Sequence, residues 1–194
     1  FIMDMDTSVD VIAHAIKVDS NFSNGFNCVG LSQGNNLCRG YIQKYNGIDG
    51  YPIAITHISI HGPIVGVASL PSCEFDGKHG TLCKEVSEIL GKAAYNKKIQ
   101  NFLFQADYFR QPKDTNTTNY MDNSQLAAWN NEGNNIDRTR KENFGKTLRF
   151  AMIKAKNDIV VVPNEGEWFG AYDENYNLQE MKQTNWYLAD TFGL

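Results

Sequence analysis

Residues 27–35, NCVGLSQGN, place a serine between two glycines in the pattern G-x-S-x-G, whose fixed positions are Gly30, Ser32 and Gly34. The preceding residues FNCVG are typical of a short buried strand, and apolar residues recur at helical spacing after Ser32. A strand, this pattern and a helix in succession are typical of a nucleophile elbow, a sharp turn that exposes the serine hydroxyl. We predict that Ser32 is a nucleophile and that the N–H of Gln33, at the helix start, holds a developing oxyanion. The alternative is an ordinary glycine-rich loop at the start of a helix, since the chain has 16 glycines.

The elements around this turn alternate between helix and strand. Residues 7–18 predict a helix with Thr7-x-x-Asp10 as its capping box. The β-branched run 53–60, IAITHISI, predicts a core strand. Residues 148–155, LRFAMIKA, predict another strand after a polar, mostly helical stretch. The order helix, strand, turn, helix, strand indicates a βαβ crossover in a parallel sheet.

The pattern divides the chain into a sheet-forming core and an insertion. Residues 1–61 are predicted to form the first part of the core with the elbow, residues 62–145 a largely helical insertion, and residues 146–194 the second part of the core. The predicted fold class is therefore α/β, with a mostly parallel sheet. A length of 194 residues and an apolar content of 42% suit a buried core of about one domain.

The four cysteines do not indicate a zinc ribbon, because no C-x-x-C pair is present. Cys73 and Cys83 flank a polar loop, and this placement suits a small disulfide. Cys28 and Cys38 lie in apolar surroundings and are predicted to be buried thiols.

Net charge, hydropathy and glycosylation sequons limit which partners and which cellular compartment the chain is suited to. A net charge of −4 argues against nucleic acid, whose phosphates are bound by clustered Lys and Arg. No apolar run approaches the ~18–20 residues that a transmembrane helix needs. Glycosylation sequons at Asn21 and Asn116, taken with the cysteine pair, favour a secreted or lumenal protein. The chain opens on Phe1 without a signal segment, so we expect a piece of a longer protein or a processed one.

A serine nucleophile needs an acid and a base. Asp158 comes just after the predicted strand 148–155, where a triad acid is expected; the alternative is an Asx turn without a catalytic role. The base should be a histidine further along the chain, but every histidine precedes Asp158: His14, His57, His61 and His79. His57 and His61 could share a metal, but a strand separates residues at this spacing by ~13 Å. We therefore assign them core or rim roles and predict no metal and no other cofactor.

Several longer stretches are distinctive. They are VGLSQGN around Ser32, HISIHGPIVGVASLPSC from His57, QADYFRQP from Gln105, YMDNSQLAAWNNE from Tyr120 and FAMIKAKNDIVVVPNEGEWFGAY from Phe150. Through nearly all 194 residues the chain resembles the palmitoyl-protein thioesterases, a family of lysosomal α/β-hydrolases. The glutamine after the serine and the final E-W-F-G are the most specific features of this resemblance.

The resemblance implies an α/β-hydrolase that cleaves thioester-linked fatty acyl groups, such as palmitate, from S-acylated proteins. It implies Ser32 as nucleophile, Asp158 as triad aspartate and a Cys73–Cys83 disulfide, in a lysosomal or secreted protein that we expect to be a monomer. The insertion is expected to supply an apolar acyl groove, although core packing explains each candidate equally well. The candidates are Ile64, Val65, Val67, Leu90, Phe102 and Leu103.

The chain also departs from the family. Its turn HGPIVG, residues 61–66, lacks the histidine of the family's G-G-x-H-x-G. The family's N-terminal strands, with the second oxyanion donor, and its catalytic histidine, one strand beyond residue 194, are not in this sequence. We therefore expect an internal fragment that is inactive by itself. Two alternatives remain: another lipase or esterase of the same fold, and a non-catalytic paralogue that binds acyl chains.

Overall fold

A parallel sheet lies at the centre of the computed structural model, which describes residues 3–69, 90, 93–133 and 136–194. Its strands are Phe26–Leu31 (β1), Ala54–Ile60 (β2) and Arg149–Ile153 (β3), in the spatial order β1–β2–β3. Both neighbouring pairs are parallel, and the helix Gly34–Tyr45 (α2) connects β1 to β2. The predicted βαβ crossover and the α/β character of the chain are confirmed.

The first helix, Met5–Val18 (α1), has 14 residues and α2 has 12. The other elements with defined bounds are shorter than these two helices. Among the residues that the structure describes, the helices with defined bounds after β2 are Lys97–Gln100 (α3), Phe104–Asp107 (α4), Thr118–Asn123 (α5), Gln125–Trp129 (α6), Arg138–Phe144 (α7) and Asn185–Leu188 (α8). Ala171–Tyr172 (β4) and Leu178–Gln179 (β5) form an antiparallel pair, and 3-10 turns span Ser20–Phe22, Pro112–Asp114, Asn164–Trp168 and Met181–Gln183. In the part of the chain that the structure describes, no helix has both the length and the apolar character to cross a membrane.

Helix α1 begins at a different cap from the one predicted. The N-cap is Asp4, whose Oδ1 accepts the backbone N–H of Thr7 at 2.8 Å. The side chain of Asp10 instead accepts bonds from Lys44 at 2.6 Å and Tyr45 at 2.7 Å on α2. The predicted Thr7-x-x-Asp10 capping box is therefore wrong: an aspartate three residues upstream satisfies the same donor, and Asp10 serves helix packing.

One face of the sheet carries the main core. Side chains of α2, α7 and the C-terminal segment pack on this face around Phe150 and Met152 of β3. The fully or nearly fully buried members of this cluster are Ala13, Tyr41, Ile42, Ala54, Ile64, Val65, Phe144, Phe169, Ala171, Trp186 and Phe192. The opposite face, with Val29 and Leu31 of β1, is exposed. The hydrophobic contacts of this cluster therefore lie on the side of the sheet that α2 covers.

The region predicted as an insertion has a hydrophobic cluster of its own, which includes Tyr95, Phe109 and Tyr120. Arg39 of α2 ties this region to the core, because its Nη2 donates to Asn130 Oδ1 at 2.8 Å and to the carbonyl of Trp129 at 3.1 Å. Complete burial, with the nearby charge of Arg140, lowers the pKa of Arg39 to about 9, so the guanidinium stays charged at neutral pH. The division at residues 61/62 and 145/146 stays a prediction.

The cysteines of β1 and α2 are bonded to each other. Cys28 and Cys38 form a disulfide with their Cα atoms 5.9 Å apart, so the prediction of two buried thiols is wrong. Apolar surroundings suit a disulfide as well as a thiol, and the packing of α2 on β1 brings the two Cα atoms within bonding range. Cys73 and Cys83 lie outside the described residues, so their disulfide stays a prediction.

Candidate active site

Ser32 occupies a sharp turn between β1 and α2. Its φ angle is +49°, a left-handed conformation that is uncommon for a residue with a side chain. The backbone N–H of Ser32 donates to the carbonyl of Ile60 at 2.9 Å, which extends the β1–β2 ladder to the turn. The serine itself is exposed. The backbone therefore presents the hydroxyl at the carboxyl edge of the sheet, the geometry that a nucleophile elbow requires.

Asn35, near the start of α2, stabilises the turn at Ser32 through its side chain. Its Nδ2 donates to the carbonyls of Ser32 and Ile60, each at 3.0 Å, and its Oδ1 lies 3.3 Å from Nε2 of His57. The side chain is fully buried. A Cβ at Gly30 would meet Asn35 Oδ1 at 2.4 Å, so the first glycine of the pattern leaves room for this brace.

Gln33 precedes α2 with helical backbone angles, φ −53° and ψ −27°. At this position an N–H has no acceptor within the helix, and the positive end of the helix dipole favours negative charge there. Its side-chain oxygen accepts weak bonds from Gln105 Nε2 at 3.3 Å and Tyr108 Oη at 3.4 Å. Residues of the predicted insertion therefore contact the elbow directly. The backbone N–H is suited to hold an oxyanion.

Asp158 follows β3 by five residues and lies in the loop beyond its carboxyl end. Since β1, β2 and β3 are parallel, this end is at the same edge of the sheet as Ser32. Its Oδ1 accepts the N–H groups of Val160 at 2.5 Å and Val161 at 3.2 Å. The Asx turn that the sequence offered as an alternative is thus present, and it orients the carboxylate rather than excluding a catalytic role.

Two further groups stand beside Asp158: His61, at the end of β2, and Glu167, in the 3-10 turn Asn164–Trp168. His61 Nδ1 lies 3.1 Å from Glu167 Oε2, and one polar atom from each of the three residues falls within 4.8 Å of the others. Burial raises the pKa of Glu167; the bond from His61 opposes this rise, and the contact with Asp158 adds to it. Sequence reasoning missed Glu167, although it is the glutamate of the quoted E-W-F-G stretch.

None of the described histidines is placed as a base between Ser32 and Asp158 by the hydrogen bonds of the structure. His57 is buried against Phe150, with ring centroids 4.6 Å apart, and burial, with the charge of Arg39, lowers its pKa to about 4. His61 takes the rim position, bonded to Glu167. His14 is exposed on α1, and His79 lies outside the described residues.

The remaining predicted residues are placed as follows. Asn21 and Asn116 are both exposed, as glycosylation sites must be. Among the candidates for an acyl groove, Ile64 and Val65 lie in the main core, and Val67 and Leu90 lie in the cluster of the predicted insertion. Leu103 packs against that second cluster, and Phe102 is exposed. Packing, the alternative that the sequence left open, accounts for these four buried residues.

Comparisons with known proteins agree on one family. The sequence profile described as palmitoyl protein thioesterase matches residues 1–194. Palmitoyl-protein thioesterase 3 of Dictyostelium discoideum is 30% identical over 98% of this chain and 62% of its own length. Palmitoyl-protein thioesterase 1 of Caenorhabditis elegans is 29% identical over 92% of this chain and 58% of its own length. Lysosomal thioesterase PPT2 of Mus musculus is 36% identical over 36% of this chain and 23% of its own length. The chain thus spans 62% or less of the length of these relatives.

Proposed function

The chain belongs to the palmitoyl protein thioesterase family, and on that premise we propose that it carries the nucleophile and the acid of a serine thioesterase. The substrate is a long-chain acyl group, such as palmitate, in thioester linkage to a protein cysteine. One observation carries the proposal: Ser32, at φ +49°, is exposed in a strand–turn–helix elbow at the sheet edge where Asp158 also lies. The corresponding fold is the α/β-hydrolase fold, with residues 62–145 as its insertion.

The residues take the following roles in this proposal. A histidine from outside these 194 residues accepts the proton of Ser32 Oγ as the oxygen attacks the thioester carbonyl. Asp158 orients that histidine, and the N–H of Gln33 stabilises the oxyanion. The cysteine thiol leaves with the proton from the histidine, and water then hydrolyses the acyl-enzyme by the same route. The 194-residue chain by itself is therefore expected to be inactive.

The proposed compartment and partners rest on the same family membership. Relatives named lysosomal thioesterase, with exposed sequons at Asn21 and Asn116, support a lysosomal or secreted glycoprotein. The partners are S-acylated proteins or acyl thioesters rather than nucleic acid, and the protein acts as a monomer. The acyl chain lies against the insertion, whose residues Gln105 and Tyr108 already contact Gln33 at the elbow.

A palmitoyl-thioester assay tests the proposal on the protein expressed from its complete coding sequence. Ser32→Ala should reduce turnover by at least ~10³-fold, and Asp158→Asn by roughly 10³–10⁴-fold, because the histidine loses its orienting partner. The matched controls are Ser20→Ala and Asp49→Asn, which alter an exposed serine before β1 and an exposed acid in the loop between α2 and β2; both should keep wild-type turnover.

The assay also separates the alternatives. Faster hydrolysis of an oxoester than of the matched thioester would indicate a lipase or carboxylic esterase. Binding of a palmitoyl ligand without turnover by the wild-type protein would indicate a non-catalytic acyl-binding paralogue. Full activity of Ser32→Ala would remove the nucleophile assignment, and turnover by the 194-residue chain that is lost in His61→Asn would assign the base to His61.

A further inference from the structure

Three ligand-type groups converge beside the sheet edge from separate segments of the chain. His61 directly follows β2, Asp158 lies in the loop after β3, and Glu167 is part of the 3-10 turn Asn164–Trp168. One nitrogen or oxygen from each lies within 4.8 Å of the other two. The closest measured pair is His61 Nδ1 with Glu167 Oε2, at 3.1 Å.

Glu167 is the unusual member of this cluster, because its side chain is 0% exposed. Its Oε2 accepts the N–H of Ala155 at 3.1 Å in addition to the contact with His61. Its Oε1 is buried without a hydrogen-bond donor among the described residues, while the carboxyl group also meets the carboxyl of Asp158. Two neighbouring carboxylates repel each other, and a cation bound between them would relieve this repulsion.

We propose that His61, Asp158 and Glu167 bind a divalent transition-metal ion, with zinc as the best fit. One imidazole nitrogen and two carboxylate oxygens form a ligand set that zinc accepts, with a water molecule at the fourth position. Magnesium and calcium fit less well, because they prefer ligand sets made of oxygen alone. From the sequence we predicted no metal, because His57 and His61 were the candidate pair and a strand separates them; in the structure, Asp158 and Glu167 rather than His57 lie beside His61.

The ligands are already held in place by their surroundings. The backbone N–H of His61 donates to the carbonyl of Ile153 at 3.0 Å, at a φ of +48°. The Oδ1 of Asp158 is fixed by two backbone N–H groups of its own loop. In a tetrahedral zinc site the three ligand atoms would lie roughly 3.4 Å from one another. In the structure they lie within 4.8 Å of one another, so a change in spacing of about 1.4 Å or less would bring them into place.

One lysine near the cluster, Lys154, is already bound elsewhere. Lys154, at the end of β3, pairs with Glu165 at 3.2 Å and lies 4.7 Å from the centre of the Trp168 ring. Lys154 is therefore not available to offset the charge of the two neighbouring carboxyl groups. A metal at this place would also engage Asp158, so it would inhibit the thioesterase; this consequence rests on the proposed function, whereas metal binding does not.

Direct titration of the protein expressed from its complete coding sequence tests the proposal. Zn²⁺ is added in competition with a chromogenic chelator, and His61→Asn and Glu167→Gln are compared with wild type. Asparagine tolerates the left-handed backbone of His61, and glutamine has the shape of the buried acid. We expect one zinc ion per chain, bound at least ~10-fold more weakly by each variant, and no competition from an equal concentration of Mg²⁺.

The control variant is His14→Asn, which removes an exposed histidine on α1 and should bind zinc as wild type does. Folding of every variant is checked by its thermal melting curve. Wild-type zinc affinity in both His61→Asn and Glu167→Gln would overturn the proposal. So would the absence of zinc binding in the wild-type protein. Because binding is read without substrate, failure here is independent of failure of the thioesterase assignment.

Discussion

At the scale of the residue, Gly30 and Gly34 have equivalent places in G-x-S-x-G but different surroundings. A Cβ at Gly30 would lie 2.4 Å from Asn35 Oδ1 and 2.7 Å from Asn35 Cα, whereas a Cβ at Gly34 would meet nothing within 4 Å. Gly34 is also the first residue of α2. The pattern therefore contains one glycine that the packing requires and one that it does not.

We expect Gly30→Ala to lower the free energy of unfolding by about 1–3 kcal/mol, because backbone as well as side chain of Asn35 must move. The matched variant Gly34→Ala should leave it unchanged or raise it by up to ~1 kcal/mol, since alanine favours a helix. Urea unfolding of both variants measures the difference. Equal destabilisation by the two substitutions would show that the turn needs both glycines.

Some residues of the candidate site could be predicted from the sequence and others could not. Ser32 was visible because its turn is built from residues adjacent in sequence, and the neighbouring strand Ala54–Ile60 was visible from its β-branched run. Glu167 was not, because its role depends on contacts with His61 and Asp158 that form only when two loops meet at the sheet edge. The cap at Asp4 was missed because Thr7-x-x-Asp10 offered a competing local pattern.

At the scale of the element, the Cys28–Cys38 disulfide joins the strand and the helix on either side of the elbow. The two cysteines are separated by 10 residues and enclose Ser32. A crosslink of this length reduces the conformational freedom of the unfolded chain, which is a model-dependent stabilisation of roughly 2–3 kcal/mol. It also holds β1 against α2 where the nucleophile is presented.

The double variant Cys28→Ser/Cys38→Ser should therefore lose roughly 2–3 kcal/mol of unfolding free energy, measured by urea unfolding without reductant. Peptide mapping of the non-reduced wild-type protein should recover the peptide that contains both cysteines in linked form. The same map tests the predicted Cys73–Cys83 disulfide. Quantitative thiol labelling of Cys28 and Cys38 in folded wild-type protein would contradict the crosslink.

The contact between α4 and α1 contains a buried acid. Asp107 is completely buried and accepts the N–H of Met5 at 2.6 Å. Burial raises its pKa to about 9; the bond from Met5 opposes this rise, and the charges of Asp4 and Asp6 add to it. Its folded pKa therefore lies above the ordinary value near 4 that it has in the unfolded chain.

The sign of the pH effect follows from this difference. Between about pH 4 and pH 9 the folded chain binds a proton at Asp107 that the unfolded chain has lost, so stability falls as the pH rises through this window. Asp107→Asn keeps an acceptor for Met5 without a charge. It should raise the melting temperature at pH 7.5 by ~3 °C or more, and by less at pH 4.5. The exposed control Asp122→Asn should show no such pH-dependent gain, and an equal effect of Asp107→Asn at both pH values would refute the shift.

At the scale of the whole molecule, the sheet presents an apolar face to solvent. Val29 is 60% exposed, Leu31 67% and Ile153 49%. The pairing of the strands places Ile58 beside Val29, and Ile60 between Leu31 and Ile153, on this same face. Parallel sheets are usually covered on both faces, so an exposed face of this kind favours association. The sequence predicted the strands but not which face is covered, because apolar residues occupy both.

We expect the double variant Val29→Thr/Leu31→Thr to bind less of the fluorescent dye ANS and to show less aggregate by light scattering than the 194-residue wild-type chain. Threonine is β-branched, a shape that suits a strand, so the melting temperature should change little. The matched control is Val11→Thr/Val18→Thr on α1, where two exposed valines, 57% and 69% accessible, lie apart from the sheet. If the α1 variant reduced dye binding and aggregation as much as the β1 variant, scattered surface apolarity rather than the open sheet face would be the cause.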